Sequence, residues 1–230
     1  MKILTFSFDD CEIYDRQLCQ LLRKYGMKAT FYLISGQLGI KVPFHRYGKD
    51  TMVERVNAAE LSGTYRNMEI ASHTRNHRVE PQSLSAEVEA SLRELSEASG
   101  QKVCGFAWPG GQYTPELKEL LRQTSVMYAR GAQPSHDLSI PKDWYDWQPT
   151  CHYAELETPK LIENFLTAPA KENLLLHIFG HSYELTNTEK HHNWTYFEKM
   201  LKQLADRRDI CCLTNGETMR QLNGRTSHEF

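Results

Sequence analysis

Apolar residues in this chain fall in short runs that alternate with longer amphipathic stretches from one end to the other. The runs at 2–8 (KILTFSF), 28–35 (KATFYLIS), 68–72 (MEIAS), 102–108 (KVCGFAW), 126–130 (VMYAR), 173–180 (NLLLHIFG) and 209–214 (DICCLT) predict strands. Between them, 15–26 puts Leu18, Leu21, Leu22 and Tyr25 on one helical face and stops at Gly26. Residues 83–100 line up Val88, Leu92 and Leu95, with Ser85 as N-cap and Gly100 at the stop. Residues 114–124 open on Thr114 and Pro115, a cap followed by a first-turn proline. Residues 158–168 and 193–206 complete the helices, while 37–55 and 131–149 read as irregular.

Strand–helix alternation implies parallel strands joined by helical crossovers, an α/β fold. Several strands are apolar at consecutive positions, as when both faces of a sheet are covered. No linker or repeat interrupts the pattern, so 1–230 is read as one domain. In such folds functional groups gather at the carboxyl ends of the strands.

Composition narrows the partners. The chain has 230 residues and a formal net charge of -2, so no basic balance argues for nucleic acid. No apolar window approaches the ~20 residues of a membrane span. The start, MKILTFSFDD, lacks the apolar stretch and cleavage site of a signal peptide, which points to the cytoplasm. The six cysteines form no C-x-x-C pair, and most read as small buried hydrophobes.

Chemistry-bearing residues collect at the strand ends. FSFDDCE finishes the first strand with Asp9, Asp10 and, two residues on, Glu12. EIASHTRNH finishes another with His73 and His77, four apart, a spacing that brings two imidazoles to one side of a turn. Asp10 with His73 and His77 makes three ligands and leaves room for water, the pattern of a catalytic divalent site. FAWPGG ends a third strand, where Pro109, Gly110 and Gly111 make a turn whose amides can approach a ligand closely. NLLLHIFGHSYEL offers His177 inside an apolar run and His181 at its end.

The order of these motifs resembles the polysaccharide deacetylase superfamily (NodB homology, carbohydrate esterase family 4). TFSFDD is similar to the family's first motif, SHTRNH matches its H-[ST]-x-x-H motif, and FAWPGG stands in the place of R-x-P-x-G. WYDWQP falls where the aspartate- and tryptophan-bearing motif belongs, and LLLHIFGH where L-x-x-H belongs. The resemblance implies a distorted (β/α) barrel of about seven units. It implies that Asp9 is the general base and that Asp10, His73 and His77 hold one divalent ion, Zn2+ in most relatives, with Ni2+ or Co2+ as alternatives. It implies hydrolysis of an N-acetyl or O-acetyl group on a sugar, with a backbone N–H near Gly110 at the oxyanion and a histidine protonating the leaving group.

Two departures stand out. Ala107 replaces the arginine that orients the base in the family, and Arg130, at the end of the next strand, is the candidate substitute. Both His177 and His181 fit the last motif; His181 has the better strand-end position, with Glu184 able to orient its ring or to sit exposed in a loop. Trp108, Trp144, Trp147 and Tyr183 lie by these motifs, and Trp108, Trp147 and Tyr183 join Pro109 and Gly110 as candidate sugar contacts. Two other functions fit the resemblance: a small-molecule amidohydrolase or deformylase, and a non-catalytic barrel that binds a glycan. Sequence does not give the oligomeric state.

Overall fold

The computed structural model describes residues 1–46, 48–169, 172–187 and 189–226. The chain opens with β1 (Lys2–Asp9), α1 (Asp15–Lys24) and β2 (Thr30–Leu33). A hairpin follows, β3 (Lys41–Arg46) and β4 (Lys49–Glu54), then the short α2 (Leu61–Thr64). Alternation resumes with β5 (Glu69–Ser72), α3 (Leu84–Ser99), β6 (Gly105–Ala107), α4 (Pro115–Arg122) and β7 (Tyr128–Arg130). Next come β8 (Cys151–His152), α5 (Thr158–Thr167), β9 (Leu174–His181), α6 (Trp194–Leu204), β10 (Ile210–Cys212) and α7 (Asn215–Thr226).

The main sheet runs β7-β6-β5-β2-β1-β9-β8, with β10 also on β1, and all of these pairings are parallel. It curls into the incomplete, distorted (β/α) barrel that the resemblance implies. The side between β7 and β9 is filled by extended chain rather than a full strand. The Ala129 and Gly131 N–H groups donate to the Trp144 and Trp147 carbonyls at 2.8 and 3.0 Å, and the Thr150 N–H donates to the His177 carbonyl at 2.8 Å.

Alternation along β1 sets the two faces. Leu4, Phe6 and Phe8 point outward into the helix layer, where Phe8 lies 5.5 Å from Phe31 and 5.9 Å from Phe197 of α6, ring centre to ring centre. Ile3, Thr5, Ser7 and Asp9 point into the barrel. The polar ones are buried there, and each has a partner: Asn215 donates to the Thr5 hydroxyl at 3.0 Å, Ser7 bonds His177 at 2.8 Å, and Asp9 meets Arg130. A buried hydroxyl or carboxyl without such a partner costs ~1–3 kcal/mol or more, so the interior pairs fix which residues face each other.

Three stretches differ from the sequence reading. Residues 41–46 and 49–54 form an antiparallel hairpin, with Val42 opposite Val53 and Phe44 opposite Thr51. Pro43 disguised its alternation, yet proline is tolerated on such a free edge. The polar α7 closes the far end of the barrel with Met219 and Leu222, a contribution too sparse to show periodicity. Helix α3 takes Ser83 rather than Ser85 as its N-cap residue.

Trp147 is buried against Tyr128, Trp144 and His177, with ring centres 6.2, 5.1 and 4.6 Å away. If it is the closing wedge, Trp147→Ala should lower the unfolding free energy by ~3–5 kcal/mol. Denaturant unfolding checks this; a loss under ~1 kcal/mol would show that the barrel closes without it.

Candidate active site

The site begins with a backbone reversal. Asp9 is the last residue of β1, and Asp10 and Cys11 then adopt φ of 79° and 50°, left-handed values that cost a non-glycine residue energy. Neighbours hold the reversal in place. The Asp10 N–H donates to the Tyr32 carbonyl at 3.2 Å, Arg55 donates to the Asp10 carbonyl, and the Val56 N–H donates to the Cys11 carbonyl at 2.9 Å. Adjacent strand residues normally face opposite ways; this turn brings both carboxylates to one mouth.

Arg130 ends β7 and is fully buried. Its Nη2 donates to Asp9 Oδ1, its Nη1 donates to the Gly131 carbonyl at 3.0 Å, and its guanidinium lies 4.4 Å from the centre of the Tyr32 ring. A guanidinium thus reaches Asp9 from one strand over from Ala107: Ala107 and Arg130 are directly paired in the β6–β7 ladder. Asp9 Oδ2 lies 3.9 Å from His73 Nε2 and is turned toward the mouth.

Asp10, His73 and His77 present ligand atoms that all lie within 4.8 Å of one another. His77 Nε2 is 3.7 Å from Asp10 Oδ1, and the two imidazoles are 4.8 Å apart. His73 Nδ1 lies 2.9 Å from the Ala107 carbonyl, which can only accept. The proton is therefore on Nδ1, and the Nε2 lone pair is free for a cation. Burial pushes the His73 imidazole down against the pull of Asp9 and Asp10, which favours the neutral ligand form. At Asp10, burial is outweighed by His181, His73, Arg55 and His77, and the carboxyl is held below its usual range. Two imidazoles and one carboxylate fit a zinc-like divalent ion.

His152, His181 and Glu184 form a second cluster of similar span, but with the opposite tautomer. The Ala154 N–H donates to His152 Nδ1 at 3.3 Å, so the proton sits on Nε2, which donates to Glu184 Oε2 at 2.8 Å. That ring has no lone pair to offer. Glu184 Oε1 lies 3.3 Å from His181 Nδ1, and Oε2 accepts the His181 N–H at 3.1 Å. The cluster is a carboxylate clamp on His181. Burial lowers the His181 imidazole, yet Glu184, Asp10 and Asp9 push it up to about 9. The two imidazoles hold Glu184 well below the usual carboxylate range despite its burial.

The remaining candidates separate by position. His181 is paired with Asp9 across the β1–β9 ladder, whereas His177 is paired with Thr5, four residues deeper. His177 is fully enclosed, with Nε2 on Ser7 and its ring 4.6 Å from Trp147, and burial with Arg130 nearby holds it well below its ordinary value. It is a core residue. The Pro109–Gly111 turn lies at the end of β6, with Gly110 at φ 66°. Trp108 and Trp147 offer no free face to a sugar: both are buried, Trp108 stacked on Tyr113 at 4.8 Å. Asp146, the motif aspartate, bonds Tyr113 and Lys118. Tyr183 stacks on His181, with ring centres 4.9 Å apart. Sequence reasoning missed His152, Arg55 and Arg46. Glu184, three residues after His181, is buried rather than exposed; it and His181 form a reciprocal capping box, which was a legible signal.

The curled parallel sheet agrees with comparisons to known proteins. Residues 1–129, more than half of the chain, match the family model described as polysaccharide deacetylase. The chain belongs to the polysaccharide deacetylase family. Its fold is similar to that of a family 4 acetyl xylan esterase from Clostridium thermocellum, solved with a cobalt ion: TM-score 0.59, 18% identity, 97% of this chain and 92% of that one. It is also similar to the Xyl-CE4 domain of a multidomain xylanase from the hindgut metagenome of Trinervitermes trinervoides: TM-score 0.58, 19% identity, 96% and 91%. A family 4 pseudoenzyme from Bacillus anthracis matches with TM-score 0.52, 14% identity, 88% and 59%. No curated protein matches the chain. Among the described residues, no helix is long and apolar enough to cross a membrane.

The Glu184 clamp predicts a pH signature in metal-free protein. The folded value for His181, about 9, lies above the unfolded value near 6.5. Its contribution to stability is therefore complete below ~6.5 and is lost as pH rises through about 9. Glu184→Gln should lower the His181 titration, followed by histidine NMR, and flatten that part of the stability–pH curve. An unchanged titration would detach Glu184 from His181.

Proposed function

We propose that the chain is a divalent-metal-dependent hydrolase that removes an acetyl group, amide- or ester-linked, from a carbohydrate. The observation that carries this reading is the three-ligand group Asp10, His73 and His77 beside an arginine-held Asp9 and a carboxylate-held His181. Purely structural histidines would not need that division. Asp10, His73 and His77 would hold the cation, which would supply acidification of water and polarisation of the acetyl carbonyl.

The chain's own groups supply the rest. Arg130 engages Asp9 Oδ1, so Oδ2 is the oxygen that takes the proton of the attacking water. The new bond joins that water's oxygen to the acetyl carbon. Charge on the former carbonyl oxygen meets a donor at the rim, which we assign to the Gly110 N–H, since the Gly111 N–H already serves the Trp108 carbonyl. His181, protonated through its Glu184 clamp, gives its Nε2 proton to the leaving nitrogen or oxygen as the bond to the acetyl carbon breaks. Acetate and the deacetylated sugar leave.

The two neighbouring aspartates should fail differently. Asp9→Asn should keep the divalent ion and lose turnover by ~10²–10⁴. Asp10→Asn should weaken ion binding, with activity partly recovered by added metal. Acetate release from N- and O-acetylated oligosaccharides, beside metal titration, checks both. Loss of the ion from Asp9→Asn would make Asp9 a ligand, and wild-type turnover in it would end the assignment of the base.

A further inference from the structure

The β3–β4 hairpin is an addition to the barrel, and the end of β3 reaches the catalytic rim. Arg46, the last residue of β3, donates from Nη2 to Glu12 Oε1 at 2.6 Å. Its guanidinium carbon also lies 3.4 Å from the centre of the Tyr183 ring. Tyr183 in turn stacks on His181 at 4.9 Å, with the planes 30° apart. Glu12 is almost fully buried two residues beyond Asp10, a place where a carboxylate requires a cation. One side chain thus compensates an acid beside a proposed metal ligand and packs on the ring that supports His181.

The root of the hairpin is tied to the same strained turn. The Ile13 N–H donates to the Glu54 carbonyl at 2.9 Å, and Glu12 bridges Arg55. Arg46 therefore makes a second, distant attachment. A hydrogen bond from His181 Nδ1 to Glu184 fixes one atom of the His181 ring and leaves rotation about that atom. A stacked neighbour fixes the plane, provided the neighbour is itself fixed.

We propose that Arg46 is a positioning residue: carried by the hairpin and anchored on buried Glu12, it holds Tyr183 against His181 and so sets the plane of the proton-donating ring. This rests on the role given to His181 above. A planar guanidinium does two things that an ammonium cannot combine, stacking on an aromatic face while pairing with a carboxylate.

The test uses metal-loaded protein with carbon-13-labelled histidine. The His181 ring Cε1–Hε1 peak is identified by its loss in His181→Gln. Arg46→Ala should displace and broaden that peak. Arg46→Lys, which keeps the charge for Glu12 and the fold, should displace it likewise. Tyr183→Ala should displace it too, and Arg46→Ala added to Tyr183→Ala should move it no further, because neighbours in one chain of contacts are non-additive. With an N-acetylated oligosaccharide, whose amine leaving group needs the proton, each single variant should lose about ten-fold in kcat with KM little changed. An unmoved peak in folded Arg46→Ala or Arg46→Lys, or fully additive losses in the double variant, would overturn the proposal. Should the wild-type protein release no acetate from N- or O-acetylated oligosaccharides, the proposed function fails, while the His181 peak still decides the role of Arg46.

Discussion

A guanidinium with no access to water lies inside the barrel mouth, and one carboxylate faces it. Arg130 and Asp9 each represent a charge that the interior cannot hold alone, and removing one partner of such a pair costs ~3–5 kcal/mol. Their contact also demands a shape. In the sheet, β7 and β1 are separated by β6, β5 and β2, so the two side chains meet only because the sheet curls until its edge faces its centre. The pair therefore couples closure of the barrel to the orientation of a single carboxyl oxygen. With Oδ1 engaged, Oδ2 is directed toward His73 and the mouth.

The left-handed turn at Asp10 and Cys11 depends on the same geometry. It sends the second carboxylate to His73 and His77 while the first remains with Arg130. Two neighbouring residues of one type thus take different partners, and the proposed division between base and ligand follows from what each touches. His73 extends the logic: the carbonyl that fixes its tautomer belongs to Ala107, the position where the family resemblance leads one to expect the arginine. With a guanidinium on the adjacent strand, the backbone at 107 still orients a proposed ligand.

Much of this was legible from residue order. Apolar runs located the parallel strands, because strands covered on both faces keep few polar positions. Strand-end acids and histidines marked the mouth, since a barrel collects its functional groups there. Arg130 was identifiable because it ends the strand after Ala107. What the sequence concealed depends on distance across the fold. Nothing in "KVPFHR" links Arg46 to Glu12 and Tyr183, and nothing near His152 announces its bond to Glu184. Trp108 and Trp147 look the same in sequence whether they face a sugar or fill a core; only the curl of the sheet decides for the core. His177 and His181 share a strand and a face, and their depth in the barrel, set by register against β1, separates them.

We propose that the Arg130 guanidinium orients the proposed base from the strand next to that of Ala107. Relocating that group tests it most directly. Ala107 and Arg130 are ladder partners, so an arginine placed at 107 starts one strand away from the space that Arg130→Ala vacates. Acetate release should be measured for Arg130→Ala and for Arg130→Ala combined with Ala107→Arg, with metal content confirmed equal. The single variant should lose ~10²-fold or more, and the double variant should recover at least about ten-fold of it, as expected when one guanidinium substitutes for the other. Wild-type turnover in a folded, metal-loaded Arg130→Ala protein, or a double variant no more active than the single, would contradict it.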